Sequence, residues 1–138
     1  MQTIMPTDTT PSHPANAWFW TGWIISGLVM LFLVFDGVTK ILKVTPVLEA
    51  CEKLGISSST VPGIGLLLLA CTVIYAIPRT SVLGAILLTA FLGGAVAIHV
   101  RGGSGAFPVA FAVAFGLLAW LGLALRDPQL LRSILLRR

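Results

Sequence analysis

Four stretches of the chain are apolar over membrane length, and most of the charge lies in the breaks between them and beyond the last. From Ala17 to Phe35, nineteen consecutive residues carry no charge, and the run ends in VFDGVTKILK, where Asp36 and Lys40 stand four apart. This pattern predicts a first span over about 17–38, continuing as helix to Leu42. VPGIGLLLLACTVIYAI predicts a second over 61–77, with Thr60 placed to cap it and Pro62 in the first turn, where a missing N–H leaves nothing unpaired. Pro78 ends that helix. The third span, about 80–100, contains SVLGAILLTAFLGGAVAIHV; a flexible RGGSGA follows, and the fourth covers 107–125 before Asp127-Pro128 closes it. A hydrocarbon core about 30 Å thick takes about 20 residues at 1.5 Å each. The expected fold is therefore all-α, an integral membrane four-helix bundle occupying residues 17–126.

The segment KVTPVLEACEKLGISSST between the first two spans is too polar to cross. Thr45 can cap a helix there, Pro46 suits its first position, and Gly55 can take the left-handed conformation that stops it. Val47, Leu48, Cys51 and Leu54 fall on one face, opposite Glu49, Glu52 and Lys53, which predicts a short helix at about 46–54 lying on the membrane surface. In the third span Ser81, Ala85, Thr89, Gly93 and Ala97 recur every fourth residue. Such a ladder of small side chains predicts close helix packing, inside the bundle or at a homodimer interface. Trp18, Trp20 and Trp23 open the first span, while Tyr75 and Trp120 sit near the ends of the second and fourth. Four alternating spans bring all five to one face, as an interfacial aromatic belt.

Composition agrees with the pattern: of 138 residues 57% are hydrophobic and 10% charged, against roughly 25% charged in ordinary soluble domains. The formal charge of +4 does not indicate nucleic acid, because Arg126, Arg132, Arg137 and Arg138 gather at the C-terminal end and no groove-reading element accompanies them. They read as a basic tail, 127–138, attracted to anionic headgroups. Residues 1–16 hold three prolines and no lysine or arginine, so they are expected to be a flexible tail and not a signal peptide, with the first span as its own insertion signal. Both termini then share one side of a bacterial inner membrane. Five basic residues on that side against four on the other favour the cytoplasm.

The same alternation sends the ends of the first and third spans to the face opposite the tryptophans. Asp36, Lys40, His99 and Arg101 are expected to converge there, with Glu49 of the surface helix above them. Asp36 lies about 20 to 24 Å beyond Trp20 or Trp23, just beneath the far interface, where an acid costs less than at the bilayer centre. Acid before base at i, i+4 is the favourable order for an ion pair. Two acids, a lysine, a histidine and an arginine suit a small polar pocket for a headgroup, an anion or a quinone carbonyl. The plainer alternative is that Lys40 and Arg101 only anchor the spans and Asp36 and His99 only pair.

Other chemistries lack their residues. Cys51 and Cys71 lie too far apart along the fold for a disulfide. One membrane histidine cannot supply bis-histidine haem ligation, and no zinc cluster is present. RGGSG lacks the ending of a phosphate loop. Polar residues inside the second and fourth spans amount to Thr72 and Tyr75, which argues against a proton or anion pathway. No cofactor or metal is evident, and the chain is not expected to be catalytic alone.

FDGVTK, then IPRTSVLGAILLTAFLGGAVAIHVR, then LRDPQLLR resemble the DoxX-like family of small bacterial membrane proteins, over about Trp18 to Arg132. The resemblance implies a four-helix membrane bundle and puts Asp36, Lys40, Arg79, His99 and Arg101 on the family's recurrent polar positions. It also marks a departure, since many relatives carry a glutamate within the second span where this chain has Leu68. The family name comes from association with a thiosulfate and quinone oxidoreductase system, although most members have no assigned activity. Three functional readings follow: an accessory or ligand-binding bundle taking a small amphipathic molecule, a quinone-interacting subunit of an oxidoreductase complex, and a purely structural subunit.

Overall fold

A computed structural model of the chain describes residues 15–135, and all regular structure in that range is helical. The elements are α1 (Ala15–Ile41), α2 (Thr45–Lys53), α3 (Val61–Ala76), α4 (Ser81–Arg101), α5 (Ala106–Arg126) and α6 (Pro128–Leu135). Most of the N-terminal tail, and residues 136–138 of the basic tail, lie outside the described residues. The rest of that tail is not extended: Asp127 Oδ1 accepts the N–H of Leu130 at 3.1 Å, capping α6 as an aspartate does at a helix start.

The local chemistry explains where each helix stops. Ile77 is pushed to an extended conformation by the following Pro78, and the turn into α4 is then tied by side chains. Thr80 Oγ1 donates to the Ile74 carbonyl at 2.9 Å, and Ser81 Oγ to that of Pro78 at 3.0 Å. Gly55 after α2 has φ +77°, the left-handed geometry that terminates a helix. Helices α1, α4 and α5 are long and apolar enough to cross a membrane, whereas α3 is apolar but has only 16 residues. At 1.5 Å per residue it reaches about 24 Å.

Helix α1 borders α3 and α5, and α4 borders the same two. The four long helices thus form a square in which α1 stands across from α4, and α3 across from α5. One end of the bundle carries the end of α1, the short helix α2 and the α4–α5 turn. There Leu54 packs so close to Gly102 that a Cβ on the glycine would lie 2.8 Å from it. The other end carries the start of α1, the α3–α4 turn and α6.

Small residues set the spacing between helices. At the α1–α3 crossing a Cβ on Gly65 would lie 2.6 Å from the Gly37 carbonyl oxygen, and at the α1–α5 crossing a Cβ on Gly22 would lie 2.8 Å from the Arg126 nitrogen. Gly84 meets the backbone of Tyr75 in the same way. In lipid, where apolar burial offers little drive between helices, such backbone-to-backbone approach is a main source of cohesion. The ladder on α4 contributes only in part. Ser81 and Ala85 are buried, but Thr89, Gly93 and Ala97 are exposed, because a step of four residues overshoots one turn by about 40° and the ladder winds off the packed face.

The core gathers Val29, Leu33, Leu68, Cys71, Tyr75, Ala85, Leu88, Ala119 and Leu123. Tyr75 has 0% exposure. Its hydroxyl donates to the Ala119 carbonyl at 2.7 Å and lies 3.2 Å from Ser26 Oγ, joining α3 to α5 across the diagonal and to α1. The aromatic belt is therefore smaller than expected. Trp18 and Trp20 are exposed at 63% and 66%, but Tyr75 turns inward, because Ala119 and Ser26 supply the partners that headgroups would otherwise give. Trp120 is half-buried, its indole N–H donating to Thr89 Oγ1 at 2.8 Å.

Replacing Tyr75 by phenylalanine leaves the Ala119 carbonyl without this donor. The expected cost is about 1 kcal/mol, measured by unfolding in mixed micelles, with Ser26→Ala costing less because its hydroxyl makes the longer of the two contacts. Equal stability of Tyr75→Phe and wild type would show that the hydroxyl does not tie the helices together.

Candidate functional site

At the α2 end, the i, i+4 spacing of α1 brings Lys40 Nζ to 2.5 Å from both carboxylate oxygens of Asp36. The side chains are 16% and 33% exposed for lysine and aspartate. The lysine stem passes over Gly65 of α3, where a Cβ would lie 2.8 Å from Lys40 Cβ. Glycine at 65 is thus what lets the lysine fold down beside the acid. Cys51 of α2 is buried close enough to feel both charges. Burial pushes its thiol up, the Lys40 ammonium partly offsets this, and the Asp36 carboxylate adds to it. Cys51 and Cys71 are both free thiols.

His99 occupies the last turn of α4 and does not join that pair. It lines an open groove of about 630 Å³ together with Val100, the turn glycines Gly103 and Gly105, and Ala106, Val109 and Ala110 of α5. Its Nδ1 is shielded from solvent and has no hydrogen-bond partner among the described residues. Arg101 and Glu49 are exposed and form no salt bridge among the described residues. The single cluster expected of Asp36, Lys40, Glu49, His99 and Arg101 is thus divided. Alternation does bring α1 and α4 to the same end, but it puts them across the diagonal, so the acid is neutralised on its own helix and the histidine faces α5. Among the described residues no group of three or more His, Cys, Asp or Glu is arranged to hold a metal ion.

Leu68 is fully buried in the core.

A further charged group lies at the opposite end, where the sequence suggested only a tail charge. The Arg126 guanidinium sits over the Trp23 ring at 4.9 Å and over the Tyr75 ring at 5.0 Å. Its Nε and Nη2 are both shielded from solvent, with no acceptor among the described residues. The burial pattern of α5 accounts for this placement. Ala119, Gly122 and Leu123 are buried on α5, and Arg126 follows at i+7 on the same face.

Because Lys40 favours the Cys51 thiolate, Lys40→Met is expected to slow alkylation of Cys51 at any given pH, leaving Asp36 uncompensated beside the thiol. Iodoacetamide kinetics on a Cys71→Ala background measure this. An unchanged rate would mean that the thiol does not sense the pair.

A model of the DoxX-like family matches residues 24–122, well over half of the chain, which takes in α1 from its third turn through most of α5. No curated protein and no solved structure matches the chain. With four apolar helices in the matched range, this multi-pass membrane protein belongs to the DoxX-like family.

Proposed function

We propose that the protein is an accessory, non-catalytic component of a bacterial inner membrane that binds a small amphipathic molecule in the groove between the end of α4 and the start of α5. The supporting observation is the His99 Nδ1, which is shielded from water, lacks a partner among the described residues and borders an otherwise apolar groove. A buried polar nitrogen without a partner costs about 1–3 kcal/mol, and a ligand hydroxyl or carbonyl would remove that cost. Val109 and Ala110 would contact the apolar body of the same molecule, giving the mostly apolar site with few polar anchors that small-molecule sites usually show. Asp36 and Lys40 satisfy each other and take no part in this reading.

A quinone falls within the same class, since its carbonyl can accept from an imidazole N–H. Electron transfer would then require a partner subunit carrying a redox centre. The ligand's identity separates the quinone-subunit reading from a simple lipid or metabolite carrier.

The test is mass spectrometry of molecules retained after purification in mild detergent. One defined small molecule is expected with wild type and Asp36→Asn, and is expected to be lost from both His99→Ala and Ala110→Trp, the latter filling the groove without touching the histidine. Retention of the same contents by all four proteins would refute the site. Thermal unfolding of each variant distinguishes loss of ligand from loss of fold.

A further inference from the structure

The Arg126 site lies at the other end of the bundle from the His99 groove and is independent of it. Three observations there point the same way. First, the two guanidinium nitrogens without acceptors, Nε and Nη2, form one edge of the plane, the edge whose parallel N–H bonds match two oxygens of a phosphate or carboxylate. Second, the side chain is held in place: it lies over Trp23 and Tyr75, and the Tyr75 ring is itself fixed by its hydroxyl bond to Ala119. Third, no carboxylate of the described chain answers the charge. Asp127 is the sole acid among the described residues at that end and caps α6 through Oδ1, while Arg79 and Arg132 add exposed positive charge.

A guanidinium does not lose its proton in a protein. A guanidinium edge that is shielded and unpaired therefore calls for an anion, and its charge cannot be relieved by neutralisation. The depth of the site indicates where the anion comes from. Trp18 and Trp20 are exposed on the same end, as tryptophans are at the headgroup layer, so Arg126 lies where lipid phosphates are concentrated. The excess of arginine around it favours a headgroup without a cation of its own. We propose that the Nε–Nη2 edge of Arg126, set against the rings of Trp23 and Tyr75, binds the phosphate of an anionic phospholipid.

Native mass spectrometry of the full chain, released from nanodiscs of mixed phosphatidylglycerol and phosphatidylcholine, tests the assignment. Wild type is expected to retain one phosphatidylglycerol in preference to phosphatidylcholine. Arg126→Lys, which keeps the charge but loses the paired edge, is expected to reduce that retention about tenfold or more, and Lys53→Gln, an exposed charge at the opposite end of the bundle, to leave it unchanged. Equal retention by Arg126→Lys and wild type would overturn the proposal, as would wild type showing no preference between the two lipids. The lipid preference of wild type can be measured even if the lysine variant does not fold. Inorganic phosphate added to pure phosphatidylcholine discs separates a soluble oxyanion from a lipid. A thermal shift matching that given by phosphatidylglycerol would overturn the lipid assignment, and no shift would support it.

Discussion

The close approach of helix backbones at glycine crossings is the constraint on which the other features rest. Without a strong apolar drive between helices in lipid, packing depends on surfaces that fit at short range. Each crossing in this bundle also positions a polar group. Gly65 makes room for the Lys40 stem and hence for the pair with Asp36; Gly22 lies against the Arg126 backbone; Gly84 admits Tyr75 to the α3–α4 seam. A side chain at any of these three positions would collide with the neighbouring helix at or next to a residue that carries a polar group, so packing and chemistry are specified by the same residues.

The two ends of the bundle handle charge in different ways. At the α2 end, Asp36 meets its counter-ion one turn away, and what remains unsatisfied is the neutral-capable imidazole of His99 beside an apolar groove. At the α6 end, a permanent cation is stacked on aromatic rings with its paired N–H edge unfilled. The Tyr75 hydroxyl stands between these regions in the fold, linking α1, α3 and α5 through Ser26 and Ala119. Arg126 therefore rests on a ring held by a hydrogen bond across the bundle, not on a flexible surface side chain.

Much of the helical arrangement could be read from the chain because its signals are local. Uncharged runs gave the long helices, Pro62 and Pro78 marked the limits of α3, and Gly55 marked the stop after α2. The i, i+4 pairing of Asp36 and Lys40 was legible for the same reason: both residues lie on one helix. Features that depend on how helices are arranged around one another were not. Sharing an end did not make α1 and α4 neighbours, so His99 and Asp36 stayed apart. Tyr75 suited a headgroup layer or a core equally well, and only the positions of Ala119 and Ser26 decided between them. Arg126 resembled its C-terminal neighbours in composition, and its inward face emerged only once the buried positions on α5 were known.

The unequal lengths of α1 and α3 affect the surrounding bilayer. The nineteen uncharged residues of α1, Ala17 to Phe35, stand beside the sixteen of α3, or about 28 Å against about 24 Å, so the greasy girdle around the bundle is slightly lower on the α3 side. Leu66, Leu67 and Val73 give α3 an oily outer flank, and acyl chains that meet it must shorten or splay to match. Lipid in contact with α3 thus meets a shorter oily wall than lipid in contact with α1.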